Sequence, residues 1–245
     1  MRTWFTTLAT ASSLALAAAG VQAAPVNQID YNLLTGTQLI TFDDIPGGAA
    51  PGTNYDGLLR SGNTSFGERF AGQTNAPAGG FDVLSGAPSG PLALAFGAPG
   101  QNLNVFINNT SQVLTGLGPA GFPDFNAIGE GSFAVLFDDD QSEFGFQLVG
   151  GNGGSATLDF FRRDGSLIQQ IVVGGLADAF YGFAREGAVR DIAGISIWNT
   201  DGAGIGFDNL KHDVPGRNDI PLPGTLLLAG LALAIAGAAR RRVTR

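Results

Sequence analysis

The chain has no cysteine and only one histidine, His212, among its 245 residues. Without cysteine there can be no disulfide, no thiol nucleophile, and no Cys-ligated zinc or iron–sulfur cluster. A Ser-His-Asp mechanism would depend on His212 alone, and its position beside a linker predicts a solvated surface residue. The chain also lacks Gly-x-Ser-x-Gly, a phosphate-binding Gly-Lys-Ser/Thr and His-Glu-x-x-His. We therefore expect a protein that is not an enzyme.

Basic residues are scarce outside the two ends of the chain. Residues 24–220 hold all 21 acidic residues but only 8 of the 13 basic ones, which gives a formal charge of −13. Nucleic acids require a basic face that replaces counterions, so no nucleic-acid partner is expected. The same charge disfavours adsorption to anionic lipid, but it suits solubility outside the cell and the binding of cations.

The first 23 residues have the three parts of a secretory signal peptide. Arg2 supplies the positive charge, residues 8–20 are apolar, and Val21-Gln22-Ala23 offers small residues for cleavage. Signal peptidase is therefore an expected partner, and the mature chain should begin at Ala24.

The last 25 residues combine a turn, an apolar run and a basic end. Pro221-Leu222-Pro223-Gly224-Thr225 precedes an uncharged run from Leu226 to Ala239, and Arg240-Arg241-Arg242 follows it. Leu and Ala favour a helix, and the arginines suit a cytoplasmic membrane face. The run is shorter than the roughly 20 apolar residues of a spanning helix. It is therefore either a short membrane anchor or a signal that a membrane-bound protein recognises.

This arrangement resembles the PEP-CTERM sorting signal of bacterial surface and secreted proteins. The family pattern is Pro-Glu-Pro, an apolar helix and an arginine-rich end, and here Leu222 replaces the glutamate. The resemblance implies recognition by an exosortase, transient anchoring in the inner membrane, and delivery to the cell surface or extracellular matrix. The alternative is an ordinary membrane anchor.

The region between the two signals predicts an all-β domain over residues 24–213, followed by a linker at 214–220. Apolar residues alternate along segments such as 133–137, 144–148 and 156–160, which is typical of strands with one face on a core. About a dozen short strands at roughly 8–12-residue spacing indicate a jelly-roll-like antiparallel β-sandwich. Residues 24–37 read as a polar lead-in, 43–62 as a long loop, and 138–140 as a solvated turn.

Two acidic segments at opposite ends of the domain are candidate metal ligands. If the first and last strands pair, Asp43 and Asp44 would approach Asp208 and Asn209. Calcium takes six to eight oxygen ligands, so Ca²⁺ is the cofactor that this pairing would favour. Ordinary turn chemistry, in which Asp and Asn cap their own backbone, is the alternative.

Four aromatic residues are candidates for stacking on sugar rings, and the alternative is that they are aromatic residues at the rim of the fold without a ligand. They are Trp198, Tyr181, Tyr55 and Phe180. Since Trp198 follows Ile195 and Ile197 in alternation, we expect its side chain on the outer face of its strand.

Export and the missing catalytic motifs favour a non-enzymatic surface or extracellular-matrix protein associated with exopolysaccharide. A calcium-dependent carbohydrate-binding module is the alternative. A glycan-active enzyme would need a pair of carboxylates, and no spacing in the sequence selects one.

Overall fold

A computed structural model describes residues 24–213 of the chain. The predicted signal peptide (residues 1–23), linker (214–220) and sorting signal (221–245) lie outside the described residues. Among the residues that are described, no helix is long and apolar enough to cross a membrane.

Short strands make up nearly all of the regular structure, together with three single-turn 3-10 helices at Tyr31–Leu33, Phe125–Ala127 and Glu186–Ala188. The strands are β1 (Val26–Ile29), β2 (Gln38–Ile40), β3 (Thr53–Tyr55), β4 (Leu59–Ser61), β5 (Thr64–Gly67), β6 (Arg69–Phe70), β7 (Thr74–Ala78), β8 (Phe81–Ser85), β9 (Leu94–Ala95), β10 (Leu103–Asn108), β11 (Ser111–Gly116), β12 (Phe133–Gln141), β13 (Glu143–Asn152), β14 (Ser155–Phe161), β15 (Leu167–Gly174), β16 (Ala177–Arg185), β17 (Ile192–Asn199) and β18 (Gly206–His212).

Two antiparallel sheets form the predicted jelly-roll-like sandwich. The larger sheet has eight strands in the order β1-β16-β13-β18-β11-β10-β3, with β2 also paired to β18. The smaller has six strands in the order β15-β14-β17-β12-β5-β4. Two small antiparallel strand pairs, β6-β9 and β7-β8, lie outside both sheets. The all-β prediction is therefore confirmed.

Phenylalanine side chains fill the space between the two sheets. Phe207 of β18 contacts Phe133 at a ring-centroid distance of 4.6 Å and Phe146 at 4.8 Å, both edge to face. This geometry is favourable for aromatic rings and adds to the burial of their area. Phe137 and Phe160 are no more than 1% exposed. The alternation read from the sequence thus identified the inward face of β12, β13 and β14 correctly.

Part of the outer face of the six-stranded sheet is also covered. Phe70 of β6 packs edge to face on Phe161 of β14 at 5.7 Å, and Ala134 of β12 completes this second buried cluster. Leu92 and Leu94 pack against it. This cover explains why β12 begins with an almost continuous apolar run, because both of its faces are buried.

Three sequence-based assignments were wrong. The region predicted as a long loop contains β3 and β4, and the polar lead-in contains β1. These short segments become strands because neighbouring strands accept their backbone hydrogen bonds. The predicted turn at 138–140 lies within β12, where Asp138 pairs with Arg60 and Asp140 with Arg163.

Candidate functional site

The pairing of β2 with β18 brings the two predicted acidic segments together. Leu210 of β18 lies opposite Ile40 of β2, so Asp43 approaches Asp208. The Asp208 carboxylate accepts hydrogen bonds from Ser111 Oγ at 2.6 Å and from the Asn209 N–H at 2.6 Å. Burial raises the pKa of Asp208, and the charge of Asp43 raises it further.

The other two predicted ligands point elsewhere. Both carboxylate oxygens of Asp44 accept from Ser61 Oγ, at 2.7 and 3.0 Å. The Asn209 amide donates to Gln147 Oε1 at 2.7 Å. Within residues 24–213, no three acidic or histidine side chains are grouped so that they could hold a metal ion. Since calcium needs six or more oxygens, this site would need backbone and water ligands. Calcium binding here stays a prediction.

The predicted tyrosines contribute their rings to the sandwich. Tyr181 packs against the core and stacks on Phe146 at 5.7 Å, while its hydroxyl lies against the backbone of Ala177. Tyr55 packs against the core at the edge of the large sheet, and its hydroxyl donates to the Pro46 carbonyl. Trp198 is half-buried on the outer face of β17, opposite Thr157.

Phe180 is the predicted aromatic residue that the fold leaves most open, because 51% of its surface is exposed. Its ring lies 4.9 Å from that of Tyr31, at an interplanar angle of 50°. The Tyr31 hydroxyl donates to the Asn209 carbonyl at 2.8 Å, and Lys211 Nζ lies 5.6 Å from the Tyr31 ring centroid. We call Tyr31 and Phe180 the aromatic platform.

Two glycines make room for this platform on the outer face of the large sheet. A Cβ at Gly145 of β13 would come within 2.8 Å of Tyr31 Cδ2, and one at Gly182 of β16 within 3.0 Å of the Tyr31 backbone. Tyr31 was missed because its single 3-10 turn lies in a segment without any periodic pattern. The adjacent glycines in two neighbouring strands are the signal that could have pointed to it.

A polar cavity of about 350 Å³ lies beside the two small strand pairs. We call it the carboxylate pocket; it is lined by Glu68, Arg69, Gln73, Asn75, Asp82 and Gln101, among others. Glu68 and Asp82 are only 4% and 5% exposed. Sequence reasoning missed this pocket because its residues are spread over five segments and share no motif.

The two carboxylates of this pocket differ in their partners. Glu68 accepts from Asn75 Nδ2 at 2.9 Å and from Arg69 Nη1. Burial raises the pKa of Asp82 to about 6; a hydrogen bond from Asn75 opposes this shift and the charge of Glu68 adds to it. Gly97 closes the wall behind Glu68, since a Cβ there would lie 2.6 Å from Glu68 Oε1.

His212 is not the solvated surface residue that the sequence suggested. Its side chain is fully buried, with Nδ1 3.1 Å from Gln141 Oε1 and Nε2 3.3 Å from Thr64 Oγ1. Desolvation lowers its pKa to about 4. The correction has a simple cause, because His212 follows Leu210 by two residues in β18 and shares its inward face.

Comparison with known proteins identifies one segment of the chain. Residues 219–242 match the family model of the PEP-CTERM protein-sorting motif. No curated protein matches the chain. Among solved structures, a carbohydrate-binding module specific for non-crystalline cellulose, CBM28, matches 46% of this chain and 80% of its own, with 14% identity and a TM-score of 0.26.

Proposed function

We propose that this chain, whose residues 219–242 match the PEP-CTERM protein-sorting motif of exported, exosortase-sorted proteins, is a non-enzymatic component of the cell surface or extracellular matrix. Its body would be associated with exopolysaccharide. Signal peptidase would remove residues 1–23, and the C-terminal segment would hold the protein in the inner membrane until exosortase acts.

The observation that carries this proposal is that a sorting motif accompanies a β-sandwich whose single histidine is buried in its core. His212 is enclosed between Gln141 and Thr64, so it cannot reach a substrate as a general base. Polysaccharide contact is supported by the half-exposed ring of Phe180 on a sheet face, because aromatic rings outside a core offer flat apolar area to a partner.

Cell fractionation of the native host tests this proposal. We expect the protein at the cell surface or in the matrix, and we expect it to be released when the exopolysaccharide is digested or its synthesis is blocked. A chain that lacks residues 221–245 should be exported but not retained. Recovery of the full-length chain in the inner membrane, with or without exopolysaccharide, would contradict the proposal, as would turnover of a glycan by the pure protein.

A second candidate is a calcium-dependent carbohydrate-binding module. The aromatic platform favours it, because the half-exposed ring of Phe180 packs 4.9 Å from the Tyr31 ring on the outer face of the large sheet, opposite Gln147 of β13. A glycan array that includes host exopolysaccharide, read with and without calcium, tests this candidate.

The matched variants distinguish binding at a specific site from non-specific hydrophobic adsorption. Phe180→Ala should abolish binding. Leu167→Ala should not, since Leu167 is also 51% exposed but lies on β15 of the other sheet. Loss of binding in Trp198→Ala or Tyr55→Ala would place the site at those residues instead. If no glycan on the array is bound, the structural matrix role is favoured.

A further inference from the structure

The strands at the edges of the two sheets are short, with one exception. β1, β2, β3 and β4 have three or four residues each, and β4 also carries the charge of Arg60. Short edge strands and charged side chains are two devices by which proteins protect unpaired backbone groups from other chains. These edges therefore offer little to a partner strand.

The remaining edge strand, β15, has neither protection. It runs for eight residues, Leu167–Gly174, without a charge or a proline, and spans about 26 Å when extended. Among the residues that the structure describes, its backbone pairs with β14 alone. A Cβ added at Gly174 would meet no atom within 4 Å. The far side of β15 therefore presents a row of unpaired N–H and C=O groups, which is a template for another strand.

Apolar side chains lie exposed beside this edge. The register of β15 with β14 puts Leu167, Gln170 and Val172 on one face of the strand, and Leu167 is 51% and Val172 60% exposed. The other sheet reaches β15 through a side chain, since the Val26 N–H of β1 donates to Gln169 Oε1 at 2.8 Å. That contact leaves the outer backbone groups of β15 without a partner strand from the described part of the chain.

We propose that β15 pairs with β15 of a second copy of this chain, antiparallel about a two-fold axis, and joins the six-stranded sheets of two copies into one continuous sheet. Two-fold pairing sets the same surface against itself, so a charged strand would face its own charge, whereas β15 has none. Residues 24–220 carry a formal charge of −13 (8 − 21), which makes two copies repel over most other approaches. The uncharged edge is thus the place where a second copy meets least repulsion.

This inference goes beyond the proposed function, because it concerns how copies associate rather than which polymer they contact. A dimer would carry two copies of the aromatic platform. A polymer that engages both would be held more tightly than by one copy, since the second contact becomes intramolecular.

Sedimentation velocity of the protein purified from its host, over a concentration series, tests the pairing. We expect a monomer–dimer equilibrium. Val172→Lys should weaken the dimer by about tenfold or more, because a lysine on an edge strand opposes its pairing with another chain. Ile107→Lys adds the same charge at an exposed apolar position of β10 and should leave the dimer unchanged. At that position the backbone is already engaged on both sides, by Gln112 of β11 and by the Gly48 carbonyl.

Cysteine crosslinking keeps the test decisive if Val172→Lys does not fold, because the chain has no cysteine of its own. A pairing centred on β15 puts the two-fold axis at Gln170 or at Ile171. Opposite residues of paired strands share a face, so Gln170 would lie opposite Gln170 or Val172 of the second copy. A short bismaleimide should therefore link Gln170→Cys into a covalent dimer, and it should not link Ile107→Cys.

A protein that stays monomeric at every concentration would overturn the proposal, as would a dimer that Val172→Lys does not weaken, or equal crosslinking of the two cysteine variants. These outcomes are distinguishable from those of the proposed function. A monomer that is retained on host exopolysaccharide would remove the pairing but leave the matrix role. A dimer through β15 that is not retained would support the pairing and contradict the matrix role.

Discussion

Replacing Glu130 by glutamine should remove a loss of stability that the wild-type protein suffers as the pH rises. Glu130 is 8% exposed, and its Oε2 is buried without a hydrogen-bond partner. Its Oε1 lies under the loop at Gly204, where an added Cβ would be 3.1 Å away. Burial raises the pKa of Glu130 from 4.5 to about 7, and the charges of Asp201 and Asp124 contribute to the rise.

The direction of the effect follows from the raised pKa. The folded state holds a proton that the unfolded chain releases near pH 4.5, so this stabilisation is complete below that pH and is lost as the pH rises through about 7. A shift of this size corresponds to about 3–4 kcal/mol of the free energy of unfolding in all, of which about 2–3 kcal/mol is lost between pH 5 and pH 9. For a domain of this length, that equals a fall of roughly 5–10 °C in the melting temperature.

The assay is a set of urea or thermal unfolding curves between pH 5 and pH 9. Glu130→Gln keeps the shape of the side chain but does not titrate, so its stability should fall by about 2–3 kcal/mol less over this range. Glu186→Gln, at an exposed position, is the matched control and should follow the wild type. Parallel pH profiles for Glu130→Gln and the wild type would refute the reasoning.

Three further outcomes are expected. Phe137→Ala and Phe160→Ala should each lower the free energy of unfolding by about 3–5 kcal/mol, because both leave a cavity between the sheets; denaturant titration measures this, and a change below 1 kcal/mol would contradict the core assignment. If calcium binds between Asp43 and Asp208, millimolar calcium should raise the melting temperature relative to chelator. Asp208→Ala should abolish that rise and Asp139→Ala should not, whereas identical curves with and without calcium would remove the site. The intact mass of the exported protein should exclude residues 226–245, and a mass that includes them would indicate simple anchoring.

The alternation of side chains predicted the second half of the fold well and the first half poorly. From Phe133 onward the strands are long, and each has a recognisable inward face, so period two sufficed. The strands β1, β3 and β4 lie in the segments predicted as a polar lead-in and a long loop, and they have only three or four residues each. The strand β7 contains Pro77 and pairs only with β8, so it depends on that partner rather than on its own residues.

The candidate sites were harder to predict for a related reason. The approach of Asp43 to Asp208 could be anticipated, because it requires only that the strand before Asp43, β2, pairs with the last strand, β18. The carboxylate pocket joins residues from 68 to 119 through two small strand pairs and a loop. No local sequence pattern predicts that these distant residues come together. The burial of His212 was within reach, since it follows from the same alternation that placed Leu210.

The position of β18 ties the completion of the fold to the end of export. On one side of β18 lie β13, β16 and β1, and on the other lie β11, β10 and β3. Because β18 is the strand that joins these halves and also pairs with β2, a chain exported unfolded would hold the large sheet only as separate ribbons until residues 206–212 have crossed the membrane. A nascent chain that stalls earlier would present two unfinished sheet edges to the export machinery and its proteases.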